Sequence, residues 1–240
     1  MMTVPSPVLK SSETWMRLEP LGDRAFLAFF DVEDQAARWA EAVRREGGPG
    51  VVDVVLAYRS VGVHADPDRI DLDELESRLW RVRPAPEAET AGRLVTLPVL
   101  YDGEDLAEVC DRLGLSEPEL IARHVGTEYR VFAIGFLPGF PYAGYLPEPL
   151  CGLARRAPPR HRVPAGSVAI AGRQTGIYPV ESPGGWHLIG RSPVRIVDLD
   201  RGAFPIRAGD RLRFVAITLG EFEDRLGEML ERPQSEEGRA

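Results

Sequence analysis

The chain has 240 residues, 44% hydrophobic and 28% charged, with a formal net charge of -8 at pH 7. That balance suits a globular protein with a real core. It argues against a general nucleic-acid binder, which needs a basic face for phosphates, and no apolar run approaches the roughly 20 residues of a membrane span.

Met1 to Ser12 has one basic residue and no long apolar stretch, so it reads as a flexible tail rather than a secretory signal. Its Lys10 is the only lysine in the chain. A phosphate-binding loop needs lysine beside its glycines, so none is available here. A Schiff-base lysine in the folded body is excluded as well.

Ala25 to Phe30 reads as a buried strand. In Val32 to Arg45, Ala36, Trp39, Ala40 and Val43 recur at helical spacing, and Gly47-Gly48-Pro49-Gly50 ends the helix. Val51 to Ala57 and Ser60 to Val63 read as strands across a short turn. Asp71 and Glu74 have capping-box spacing before Leu72, Leu75 and Leu79. Leu94 to Leu100 is a further strand. The order βαββαβ is that of a ferredoxin-like unit. Arg83 to Ala91, with Pro84, Pro86 and alanines, is the linker candidate.

Two short helices follow, Asp105 to Leu113 and Glu117 to Arg123. In the first, Leu106, Val109, Cys110 and Leu113 share one face, so Cys110 is a core residue. Cys151 is in a loop, and no CxxC pair exists. No disulfide or zinc site is therefore expected, and a reducing cytoplasmic location fits. Ser116 and Glu119 cap the second helix, with Pro118 in its first turn.

Beyond Gly126 the chain breaks into short β-rich runs: Tyr129–Ile134, Ser167–Ala171, Gly176–Val180, His187–Ile189, Val194–Val197 and Arg211–Ala216. Such spacing suggests a closed or nearly closed barrel. Leu219 to Leu230 reads as a terminal helix. The expected fold class is α+β. A small ferredoxin-like domain spans residues 1–92, a β-barrel domain 93–231, and a polar disordered tail 232–240.

The chemistry concentrates in Gly135 to Arg191. Phe136, Phe140, Tyr142 and Tyr145 place aromatics in a glycine- and proline-rich loop, of the kind that lines pockets or interfaces. Gln174, Thr175, Ser182 and His187 offer hydrogen bonds, and Arg160, Arg162 and Arg191 offer forks for a carboxylate or phosphate. Arg155 to Arg162 holds four arginines and His161, a local basic patch. No G-x-S-x-G nucleophile is present. Four scattered histidines do not make a metal site.

Each residue has a plain alternative. His124, beside Gly126, is either a helix C-terminal cap or a proton-transfer group. Arg160 is a surface charge or an anion clamp. Gln174 and Thr175 form a turn or touch a ligand. Trp186 is a core plug or a stacking platform, and His187 packs or faces solvent.

The stretch Gly135-Phe136-Leu137-Pro138-Gly139-Phe140-Pro141-Tyr142, with Arg160-His161-Arg162-Val163-Pro164-Ala165-Gly166-Ser167, Gln174-Thr175-Gly176-Ile177-Tyr178-Pro179 and Ser182-Pro183-Gly184-Gly185-Trp186, resembles a known family. Its members are variously named the 5-oxoprolinase B subunit, allophanate hydrolase subunit 1 and the KipI-type histidine kinase inhibitor. The same module resembles one half of the carboxyltransferase domain of urea carboxylase. The match is dense from His124 to Arg191 and weaker around Gly22–Ala25 and Leu97–Val99. After Tyr101 the chain is shorter than the family pattern, which puts any site there in doubt.

The resemblance implies a cyclophilin-like β-barrel behind a small α/β domain. It implies ATP-dependent hydrolysis of 5-oxo-L-proline to L-glutamate, with homologues of the 5-oxoprolinase C and A subunits as partners. ATP is then used by the assembled complex and not necessarily bound by this chain. The alternatives are an inhibitor bound to a sensor histidine kinase, or part of a carboxyltransferase or allophanate hydrolase. The candidate catalytic residues are His124, Arg160 and Gln174. The candidate substrate contacts are Phe136, Phe140, Tyr142, Arg162, Ser167, Thr175, Tyr178, Ser182, Trp186 and Arg191. No metal is expected.

Overall fold

A computed structural model describes residues 15–86 and 92–231. The tails expected over 1–12 and 232–240 lie outside these residues, as does most of the linker candidate beyond Pro86. The chain divides into two compact units after Pro86.

In the first unit, β1 (Arg17–Pro20), β2 (Ala25–Phe29), β3 (Val51–Ala57) and β4 (Ser60–Ala65) form an antiparallel sheet in the order β1-β2-β4-β3. Helix α1 (Glu33–Glu46) buries Ala36, Trp39, Ala40 and Val43, the face its spacing marks. Its acidic first turn (Glu33, Asp34) and basic last turn (Arg44, Arg45) both complement the helix dipole. Helix α2 (Leu72–Leu79) buries Leu75 and Leu79, and the Asp71 carboxylate accepts the Glu74 N–H at 2.7 Å. The strand expected to complete βαββαβ, Leu94 to Leu100, is absent from this sheet. Its place is taken by β1, a short polar strand that alternation did not reveal.

In the second unit, β5 (Leu94–Val99) lies parallel to β13 (Arg211–Ala216). From β13 the sheet continues antiparallel through β6 (Glu128–Ile134), β7 (Pro141–Gly144), β10 (Gln174–Ile177), β9 (Ser167–Ala171) and β12 (His187–Arg191). The ladder is not continuous around the sheet. Among the described residues, the pairing between its two edges is the isolated Leu100–Arg191 bridge, just past the end of β5, with two backbone bonds of 2.9 Å. A separate ribbon pairs β8 (Arg160–Val163) with β11 (Ser182–Gly184).

Helices α3 (Leu106–Leu113) and α4 (Glu117–Val125) supply Leu106, Val109, Cys110 and Leu120 to the main core, which includes Val99, Tyr129, Ile170, Ile189 and Phe214. The Ser116–Glu119 capping box is present. A second cluster joins Phe140, Val163, Ala169, Tyr178, Trp186 and Leu188.

Two further expectations fail for identifiable reasons. Val194 to Val197 forms no strand, because only Arg195 pairs, through a bridge to Met229. The terminal helix α5 spans Leu219–Asp224 rather than reaching Leu230. Gly227 adopts φ 86 and its N–H bonds Pro193, so the chain turns back towards Arg195. Among the described residues, no helix is long and apolar enough to cross a membrane.

Candidate functional site

The aromatic loop is built by a tight turn. Phe136 has φ 66 and Gly139 φ 80, and Phe140 N–H bonds Leu137 O at 3.1 Å. The turn gives its two phenylalanines very different burial. Phe136 is 59% exposed, whereas Phe140 is 1% exposed. Phe140 packs edge-to-face on Phe136, Tyr142, Tyr178 and Trp186, with ring centroids 5.6, 5.1, 5.2 and 5.4 Å away. Such pairs add favourable quadrupole contacts to apolar burial. A Cβ at Gly184 would collide with the Tyr178 ring, so only glycine lets β11 lie against that ring.

These rings line a cavity of about 340 Å³. Phe136, Phe140, Tyr142, Tyr178 and Trp186 form its apolar walls, completed by Pro159 and Pro183 to Gly185. Arg155 and Arg156 line it too. Size and lining are those of a small-molecule or side-chain pocket with few polar groups. Burial raises the Tyr178 phenol above its ordinary pKa, against the opposing pull of a backbone hydrogen bond with Trp186 and the charges of Arg155 and Arg160. The phenol therefore stays neutral and hydrogen-bonding.

Behind the pocket lies a charge cluster centred on Asp105, which is 2% exposed. Its Oδ1 accepts from Arg156 Nη1 at 2.9 Å and Arg160 Nη2 at 2.6 Å, and its Oδ2 accepts the Leu188 N–H at 2.7 Å. Arg160 Nε also donates to Glu104, and Arg156 Nη1 to Glu108. Desolvation opposes the Arg160 charge, but bonds and charges from Asp105 and Glu104 outweigh it and raise the pKa. Arg160 is thus committed largely to internal carboxylates, and only its Nη1 is buried without a partner among the described residues.

His124 is elsewhere, in the main core. It is fully buried and stacks on Phe214 at 4.6 Å. The Thr175 hydroxyl donates to Ala169 O at 3.2 Å, so its Oγ1 accepts from His124 Nε2 at 2.9 Å. His124 Nδ1 then accepts the Tyr101 O–H at 2.6 Å. This assigns a neutral imidazole, and burial pushes its pKa down to about 3. Burial also raises the Tyr101 phenol far above its ordinary value. The network holds a neutral imidazole in the main core, apart from the residues that line the aromatic pocket. The C-terminal cap alternative fails, since the ring is fully buried.

The remaining candidates separate. Phe136, Phe140, Tyr142, Tyr178 and Trp186 converge on the pocket. Ser182 is buried on β11 beside the lining Pro183, and its Oγ lacks a partner among the described residues. Arg162 is surface-exposed and pairs with Glu181 at 2.6 Å. Arg191 grips Asp102 through Nε at 2.9 Å and Nη2 at 2.8 Å, and stacks on Phe222. Gln174 opens the β10 strand opposite Ala171, and Thr175 belongs to the His124 network. Ser167 starts β9, its carbonyl accepting the Tyr178 N–H at 2.9 Å. None of these last five residues lines the pocket.

Sequence reasoning missed Arg155, Arg156 and Asp105 as parts of one site. The basic stretch beside Pro158-Pro159 was a signal for the arginines. Asp105 carried none, because its partners lie 51, 55 and 83 residues away.

The sheet and its aromatic pocket define a carboxyltransferase-domain protein: the family of the carboxyltransferase domain, subdomain C and D, matches residues 16–205, and the chain belongs to it. Within that class, the chain is 42% identical over 184 residues to the 5-oxoprolinase B subunit of Escherichia coli O157:H7, covering 74% of this chain and 83% of that protein. It is 34% identical over 226 residues to the 5-oxoprolinase B subunit of Bacillus subtilis strain 168, covering 84% and 93%. The crystal structure of TTHA0988 superposes with a TM-score of 0.74 at 41% identity. That match covers 88% of this chain but only 42% of that solved chain. The urea amidolyase of K. lactis shares the fold, with a TM-score of 0.65 at 20% identity over 93% of this chain and 16% of its own.

Proposed function

We propose that this chain is the non-autonomous B subunit of an ATP-dependent 5-oxoprolinase. The carrying observation is its kinship, over most of its length, with proteins of that name. The reaction adds water to the lactam carbonyl carbon and breaks the ring C–N bond, giving glutamate. A lactam is a poor electrophile, so ATP supplies the activation when bound in the assembled enzyme. The partners are homologues of the 5-oxoprolinase C and A subunits, and ATP is used by the assembled complex, not necessarily bound by this chain; Lys10 is its only lysine, so it offers no lysine-bearing phosphate loop.

In this reading the aromatic pocket takes the apolar part of the lactam, and Arg155 meets its carboxylate. Arg155 is exposed and lines the cavity, unlike Arg160 and Arg191, whose charges face Asp105 and Asp102. Arg155→Ala is expected to raise KM for 5-oxoproline about tenfold with little change in kcat, the mark of lost ground-state binding. An unchanged KM removes the carboxylate from this rim.

We further read the first unit as a ferredoxin-like variant whose edge strand comes from β1, and the second as an open variant of a cyclophilin-like barrel, its ends linked by the Leu100–Arg191 bridge. The two free thiols are consistent with a cytoplasmic setting.

The test is reconstitution. The purified chain alone is expected to show no ATP-dependent 5-oxoproline hydrolysis, and mixing with the cognate C and A subunits is expected to restore it. Phe136, exposed at the pocket rim, is the residue on which to probe assembly. Phe136→Asp is expected to weaken complex formation while leaving the chain folded. Turnover by the isolated chain would refute the reading.

A further inference from the structure

We propose that Asp105 is the positioning residue of the aromatic pocket, holding Arg156 and the adjoining wall in the geometry that binds ligand. In its kinetic consequence this rests on the 5-oxoprolinase reading.

Asp105 occupies the N-cap position of α3, where an aspartate ordinarily accepts an N–H of its own helix. Here the side chain makes no such bond. The carboxylate is turned instead onto three groups from distant parts of the chain. One is Arg156, which lines the pocket. Another is Arg160 on β8, whose partner across the ribbon is the lining Gly184. The third is the Leu188 amide, two residues beyond the lining Trp186. The backbone repeats the link, since Asp105 N–H donates to Leu188 O at 3.0 Å. Arg156 N–H in turn donates to Gly185 O at 2.7 Å, closing the wall on itself.

The carboxylate therefore joins the 155–160 segment, the β8–β11 ribbon and β12. Both guanidiniums sit on one oxygen, so a neutral amide cannot replace it: Asn keeps the size but supplies no charge to hold two forks. A residue at the start of α3, outside the pocket lining, thus sets the shape of the wall that carries Arg156.

The experiment uses the reconstituted complex and the isolated chain. In the complex, Asp105→Asn is expected to raise KM for 5-oxoproline about tenfold or more, with kcat within about twofold. Arg156→Gln, which removes the group being held, is expected to do the same and serves if the first variant is insoluble. Val109→Ala, in the same helix but buried in the other cluster, is expected to lower stability and leave KM alone.

In the isolated chain, Asp105→Asn is expected to speed amide exchange at Leu188 and at Arg156 about tenfold or more, leaving β6 and β13 protected. Unchanged KM in a folded Asp105→Asn complex, or a fall in kcat alone, overturns the proposal. If Arg155→Ala raises KM and Asp105→Asn does not, the positioning role fails and the pocket stands. If the wild-type complex does not turn over 5-oxoproline, the enzymatic reading fails, and the exchange pattern decides the positioning role by itself: exchange unchanged at Leu188 and Arg156 refutes it.

Discussion

Acidification is expected to destabilise the second unit through His124, by about 1.4 kcal/mol for each pH unit below the ordinary histidine value. The sign follows from proton counts. In the unfolded chain His124 takes up a proton near pH 6.5, whereas in the fold burial holds its pKa down to about 3. Between those values the unfolded state binds more protons, so stability falls as pH falls. The stabilisation is complete above pH 6.5 and is lost on the way to pH 3, in total about 4–5 kcal/mol. Urea unfolding at pH 7.0, 5.5 and 4.5 measures the slope. His124→Gln, which cannot titrate, is expected to flatten it. The imidazole carbon signals of His124 are expected to stay at their neutral positions from pH 8 to 5. A ring that titrates near 6.5 in the folded protein would contradict the burial argument.

Replacing Phe140 by alanine is expected to cost about 3–5 kcal/mol, the range for deleting a buried phenylalanine. Four aromatic rings meet that side chain, and only 1% of it is exposed. Phe140→Asp is expected to cost more, since it puts a carboxylate among rings with no partner. Phe136→Ala, four residues away on the exposed arm of the turn, is expected to stay within about 0.5 kcal/mol. Urea midpoints for the three variants check this ranking. A loss below about 1 kcal/mol for Phe140→Ala would mean the cluster is not a packed core. Phe140 is thus a core residue that cannot report on partner assembly, whereas the exposed Phe136 can.

Local rules were enough for much of the fold. Helical spacing in Val32 to Arg45 found the buried face of α1, and Ser116 with Glu119 marked the start of α4. The short β-rich runs at Ser167–Ala171 and Arg211–Ala216 found β9 and β13. Each of these signals acts within one or two turns of chain, so it is written in adjacent residues. By the same logic β7, β8 and β11 escaped notice. They are three or four residues long, two of them contain proline, and their strand character comes only from pairing.

The amino-acid sequence by itself determined the family, the aromatic character of the Gly135 to Tyr142 loop, and the absence of a phosphate-loop lysine. Only the tertiary structure decided which residues share a site. It put Thr175 with His124 in the core rather than in the pocket, and tied Arg191 to Asp102. It split the aromatic loop into an exposed Phe136 and a buried Phe140. It also gave Asp105 its role, because the carboxylate's partners lie on other elements, brought to it by strand pairing far along the chain. Side-chain type is a local property, but burial and partnership depend on what the rest of the fold places within about 3 Å, the reach of a hydrogen bond.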